Sequence, residues 1–290
     1  MTKALRNFLW GLFVSAFGSM NATADRAGRI LSLDMDGSWN IVAGYAQSIF
    51  APFCYTIIAI CLMLEIAQVA AKVDVIKWEH GLKLAVKMVL AKVCIDIAPT
   101  VLRAIYEQCA SWIQSLNAAV SGDDGITAIM ETLLDTLVHG LSGLGTLIGM
   151  IVTTAFVILA VKICGLIIQI VAYARVFEIL VYVAVSPIPC AFMPLGDGSG
   201  SGVSRITSKF FKNFIAVCLQ GIMLMVILIV FGAILNSYLL MLIGDVSTIP
   251  GLTASIAVGE FSFAMLLGSI ALVMAATKSG GWAKSIIDAT

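Results

Sequence analysis

Residues 143–189 read GLGTLIGMIVTTAFVILAVKICGLIIQIVAYARVFEILVYVAVSPIP. The run is almost wholly apolar, yet Lys162, Gln169, Arg175 and Glu178 stand inside it. A soluble core has no use for so long an apolar segment. At about 1.5 Å of rise per residue a helix of this length extends about 70 Å, more than twice the roughly 30 Å hydrocarbon thickness of a bilayer. It therefore either projects well beyond the membrane or breaks into two crossings. Arg175 and Glu178 are three apart, so they share a helix face and can pair, which lowers the cost of placing two charges at membrane depth. The run stops at Pro187 and Pro189, which remove two backbone donors and push the residues before them out of the helical region.

The totals extend this reading to the whole chain. Of 290 residues, 60% are hydrophobic and 12% charged, with a mean hydropathy of +1.04. Soluble domains carry about a quarter charged residues. The composition implies an integral membrane protein whose surroundings include membrane lipid, and an all-α fold: a polytopic transmembrane helical bundle. A formal net charge of zero excludes a global basic field, so DNA contact is limited to a local, transient one. The seven cysteines are odd in number, scattered and mostly inside apolar runs, which reads as small core residues and neither a disulfide nor a metal framework.

Catalytic patterns are weak. Gly140-Leu141-Ser142-Gly143 matches the G-x-S-G of rhomboid-type intramembrane proteases, but the only histidines are His80 and His139, and neither lies on a later span to activate the serine. Gly196 to Gly202 is rich in glycine and serine but lacks the Gly-Lys-Ser/Thr of a P-loop, so it reads as a flexible linker. No enzymatic activity, cofactor or metal is expected.

In chain order, residues 1–38 form an amino-terminal segment with Lys3, Arg6, a short apolar run and Ala22-Thr23-Ala24. Three readings stay open for it: a cleaved signal peptide, an interfacial helix, or an extra span. Residues 39–290 form the transmembrane domain, with spans expected at 41–64, 84–113, 143–186, 214–240 and 253–277. The first is interrupted only by Pro52. The second is less hydrophobic, and at 100° per residue its Lys92, Asp96, Arg103, Glu107 and Gln114 fall on one polar face. That stripe either lines a water-filled path or pairs across the bundle with Arg175, Glu178 or Glu260. Residues 124–138 follow the i, i+3, i+4, i+7 rule and read as an outer amphipathic helix. Gly145 and Gly149 form a small-xxx-small pair that lets helices approach closely. Lys162 is placed to snorkel toward an interface, and Glu260 lies early in the last span.

Charge decides how often the organising stretch crosses. The segment 65–87 carries Lys72, Lys77, Lys83 and Lys87, the loop 195–212 carries Arg205, Lys209 and Lys212, and Lys278 and Lys284 follow the last span. By the positive-inside rule these belong to the cytoplasm. Residues 114–138 carry Asp123, Asp124, Glu131 and Asp135 without a Lys or Arg, and 244–251 carry only Asp245, so both belong outside. Two crossings by 143–186 would invert every later loop; one crossing satisfies them all. About five spans result, amino end outside and carboxyl end inside, with no internal repeat to suggest a secondary transporter.

Tyr173-Ala174-Arg175-Val176-Phe177-Glu178, then Ala184-Val185-Ser186-Pro187-Ile188-Pro189 and a polar loop, resembles the TrbL/VirB-type polytopic inner-membrane channel subunit of conjugation and type IV secretion systems. The resemblance implies a homo-oligomeric channel or scaffold subunit in the bacterial cytoplasmic membrane. Its partners would be ATPases and a bitopic scaffold subunit, since this chain has no large soluble domain of its own. A self-contained small-solute transporter or ion channel, using the polar stripe as its binding site, is the competing reading from the residues alone.

Overall fold

The computed structural model describes residues 2–71, 78–121, 144–192, 204–248 and 254–288. Every regular element among the described residues is helical: α1 (Thr2–Leu31), α2 (Asp36–Tyr45), a π-helical turn (Ala46–Phe50), α3 (Ala51–Ala71), α4 (Trp78–Ser121), α5 (Leu144–Val185), α6 (Pro187–Ala191), α7 (Ser204–Thr248) and α8 (Ala254–Asp288). The fold is an all-helical polytopic bundle. The amphipathic segment 124–138 and the glycine-rich part of the loop, 195–203, lie outside the described residues.

Among the described residues four stretches are long and apolar enough to cross a membrane: Ala22–Leu64, Ile151–Ala191, Ile206–Leu235 and Ser262–Ile287. α4 is not among them, because Lys92, Asp96, Arg103 and Glu107 interrupt its apolar run. α5 is a single helix of 42 residues without an internal proline, about 63 Å long.

The helices run further than hydropathy alone indicates. Residues 65–71 belong to α3 and 78–87 to α4, although both read as polar connector. Residues 204–212, read as loop, form the first turns of α7, and 114–121 complete α4. Lys, Glu and Gln have good helix propensity, so a span continues into its charged flank until a true breaker arrives. Pro52 shows how a breaker is absorbed: lacking an N–H, it would collide with the carbonyl four residues back, and the π-helical turn immediately before it opens that spacing.

The chain divides into two compact units. Unit 1 comprises residues 1–32, 111–174 and 220–282. Its core joins Ala27 and Leu31 of α1, Ile113 of α4, Ile168 and Ala172 of α5, Leu224 and Met225 of α7, and Leu272 and Ala276 of α8. The second half of α1 is thus built into the bundle. Gly28 makes this approach close, since a Cβ there would lie 2.8 Å from the Asn117 side chain and 3.1 Å from that of Met225. At the next contact a Cβ on Gly165 would meet Thr23 Oγ1 at 2.8 Å. Asn117 of α4 also donates to Asp25 Oδ1 at 3.2 Å, so a polar contact as well as packing holds α1, while Arg29 pairs with Asp25 within α1 itself.

Unit 2 comprises residues 33–110, 175–219 and 283–290. Its core joins Ala51, Cys54 and Ile58 of α3, Ala91, Ile95 and Ala98 of α4, and Cys190 and Ala191 of α6. Small residues dominate this contact, which lets three helices meet at short range. The cysteines are free thiols that serve as core residues, with Cys94 Sγ 3.1 Å from Cys190 Sγ.

Replacing Gly28 with leucine should overpack the α1–α4 contact and cost about 1–3 kcal/mol. Leucine at Gly232, where nothing lies within 4 Å of a Cβ, should cost far less. Thermal unfolding of both variants in detergent checks this; equal midpoints would mean that α1 is not docked as described.

Candidate functional site

Unit 2 holds a set of charged and aromatic side chains that an apolar helical bundle does not need for folding alone. Its centre is the pair on α5. Arg175 Nη1 lies 2.7 Å from Glu178 Oε2, with the two side chains 20% and 35% exposed. The i, i+3 spacing puts the groups one above the other on a single helix, so no tertiary contact is required to form the pair. The Arg175 Nε is buried and has no hydrogen-bond partner among the described residues. The guanidinium therefore retains a donor for another group.

Two turns on, α5 ends at Val185. Ser186 folds its hydroxyl back onto the Val183 carbonyl at 2.8 Å, and its backbone N–H donates to the same oxygen at 3.3 Å. Pro187 then stands at the first position of α6, where its missing N–H costs nothing. Ser186 keeps helical dihedrals (φ −53°, ψ −31°), so the prolines kink the chain without ending its helical course, and Ser186, Pro187, Pro189, Cys190 and Ala191 are all buried. Thr207 at the start of α7 donates to the Pro189 carbonyl at 2.7 Å, supplying the partner that helix geometry cannot. Tyr182 packs between the two helices, its ring centroid 5.4 Å from Phe210 and 6.1 Å from Phe214. The elbow is thereby fixed just beyond the Arg175–Glu178 pair.

The stripe on α4 forms the second group. Arg103 bridges Glu107, at 2.7 Å on its own helix, and Asp36 at the start of α2. Tyr55 on α3 donates to Asp96 Oδ1 at 2.7 Å. Lys92, Asp96, Glu107 and Gln114 are exposed, and Arg103 is half-buried. The stripe's partners thus lie on α2 and α3 and not on α5, where cross-bundle pairing with Arg175 or Glu178 would have put them. Asp36 and Tyr55 carried no signal in the sequence, since they are 67 and 41 residues from their partners. Beneath the stripe Tyr106 stacks on buried Trp39 with centroids 5.8 Å apart and donates to the Leu33 carbonyl at 2.9 Å. Pro99, inside α4 between Asp96 and Arg103, removes one helical hydrogen bond and lies buried at this junction.

Of the small-residue pair on α5, Gly149 is exposed, with nothing within 4 Å of a Cβ built on it. Among the described residues it brings no helix close. Lys162 and Glu260 are also exposed.

The charge pair on α5, the buried proline elbow and the Arg103 cluster of α4 thus all belong to unit 2. A family model described as "TrbL/VirB6 plasmid conjugal transfer like protein" matches residues 22–187, from the docked half of α1 to the elbow. No curated protein and no solved structure matches the chain.

Removing Glu178 alone leaves an uncompensated cation in an apolar helix, at a cost of a few kcal/mol or more before snorkelling relieves it. Glu178→Ala and Arg175→Ala should each lower membrane abundance several-fold, whereas Arg175→Ala/Glu178→Ala recovers it. Quantitative immunoblots of membranes check the order; a double variant as scarce as either single one would mean that the two charges act independently.

Proposed function

The chain belongs to the TrbL/VirB6 plasmid conjugal transfer family, and from that membership we propose that it is the polytopic cytoplasmic-membrane subunit through which a type IV secretion machine passes its substrate. The family match over residues 22–187 carries the reading, because it covers the charge pair, the α4 stripe and the start of the elbow at Pro187. The four membrane-competent stretches support it, and the absence of catalytic motifs in the sequence agrees with a component that conducts or scaffolds.

In this reading α4 is a fifth crossing. Its Arg103 is neutralised by Asp36 and Glu107, and its exposed polar face borders an aqueous path or a partner subunit instead of lipid. α5 crosses once, and its elbow brings the cationic start of α7, with exposed Lys209 and Lys212, to the cytoplasmic side. That side is where ATPases would dock, since the sequence carries no P-loop motif of its own. Energy and DNA recognition then come from partners, and the present chain supplies a fixed membrane frame, assembled as a homo-oligomer with a bitopic scaffold subunit.

Deleting the chain from a conjugative donor should abolish transfer, complementation should restore it, and affinity purification from gently solubilised membranes should recover the machine's ATPases with it. Undiminished transfer in the deletion strain would refute the reading.

A further inference from the structure

Lys162 and Glu260 are two charges of unit 1 that lie within apolar helix faces. Both are exposed, neither has an ion-pair or hydrogen-bond partner among the described residues, and each stands on a helix face of large apolar side chains. On α5 the neighbours of Lys162 are Leu159, Ile163 and Leu166, exposed by 50–58%. On α8 Glu260 heads the series Phe263, Leu267 and Ile270, exposed by 45–62%. Both series step by three and four residues, the spacing that lets one helix seat its side chains between those of another. Lipid would also accept such faces, but lipid gives no counter-charge to a lysine well inside an apolar helix.

We propose that these two faces are the interface between copies of this chain, the α5 face of one copy seating against the α8 face of the next so that Lys162 pairs with the neighbour's Glu260. The levels of the two charges are compatible. Ile168 and Ala172 share one buried cluster with Leu272 and Ala276, which registers α5 against α8. Lys162 lies about 9 Å and Glu260 about 18 Å before that cluster along their helices. In the topology proposed above both helices run inward, so the two charges lie on the outer side of the cluster with about 9 Å between their levels. Both side chains lean toward the amino ends of their helices, and the longer lysine, extending its ammonium along an apolar surface, narrows that difference.

Charge complementarity identifies the occupant. One repeated contact between copies neutralises both charges and leaves neither over, whereas an unrelated partner would have to bring an acid for one face and a base for the other. Because the two faces differ, the contact is head-to-tail, and such contacts form a ring where the rotation between copies closes. A ring is the arrangement a conduit requires, so the inference rests on the proposed function and adds to it which helices meet.

The test uses the full chain in its native membrane, with the seven native cysteines replaced. One tagged copy carries Lys162→Cys and a differently tagged copy carries Glu260→Cys, and a short membrane-permeant bismaleimide is added. A crosslink joining the two tags is expected, with none when either cysteine is present alone. Separately, Lys162→Glu should reduce the oligomeric fraction on native gels by roughly tenfold, and Lys162→Glu/Glu260→Lys should restore it. A crosslink only to another protein, no crosslink in membranes where the parent is oligomeric, or a charge-reversed copy that assembles like the parent would each overturn the interface. None of these outcomes depends on transfer activity, so the interface and the secretion role stand or fall separately.

Discussion

A charge placed in a helix that faces hydrocarbon must be neutralised locally or carried to the helix end, and the arrangement of this protein follows from that constraint. Arg175 meets Glu178 within one turn of α5, and Arg103 meets Glu107 within one turn of α4 and Asp36 across to α2. Lys209 and Lys212 lie near the start of α7 and Lys278 and Lys284 late in α8, whereas Lys162 stands in mid-α5 without a partner among the described residues. Local pairing needs only a spacing of three or four residues. It therefore survives any rearrangement of the helices around it, which suits a subunit that works inside a larger assembly.

The backbone obeys a parallel rule. Without water, each carbonyl that a proline strips of its partner must find another or lie buried among protein atoms. Unit 2 contains Pro52 after a π-helical turn, Pro99 buried within α4, and Pro187 and Pro189 at the elbow, where Ser186 and Thr207 supply the missing donors. Irregular backbone and paired charge occur in the same unit. Unit 1, by contrast, is built on an apolar core that holds the second half of α1 against α4, α5, α7 and α8.

Much of this was legible in the sequence where the determining interaction is local. Hydropathy identifies the class and the long helices, and the three-residue spacing brings Arg175 and Glu178 onto one face. Helical periodicity likewise collects Lys92, Asp96, Arg103 and Glu107 on one side of α4. What remained hidden is long-range or marginal. Nothing near Arg103 points to Asp36, and nothing near Asp96 points to Tyr55. Helix ends were drawn too short because a charged flank and a loop look alike to hydropathy, although lysine and glutamate continue a helix readily. The docking of α1, which three readings of the amino-terminal segment left open, depends on Gly28 leaving room for Asn117, a steric fact with no periodic signature.

The central claim is that charge asymmetry makes α5 cross the membrane once and so fixes the side of every later segment. Single cysteines introduced at Asp123, Ser201 and Asp245, in a chain without its native cysteines, can be treated with a membrane-impermeant maleimide in intact cells. The account predicts labelling at positions 123 and 245 from outside and at 201 only after permeabilisation. Labelling of position 201 in intact cells would mean that the stretch crosses twice, and the topology built on it would be contradicted.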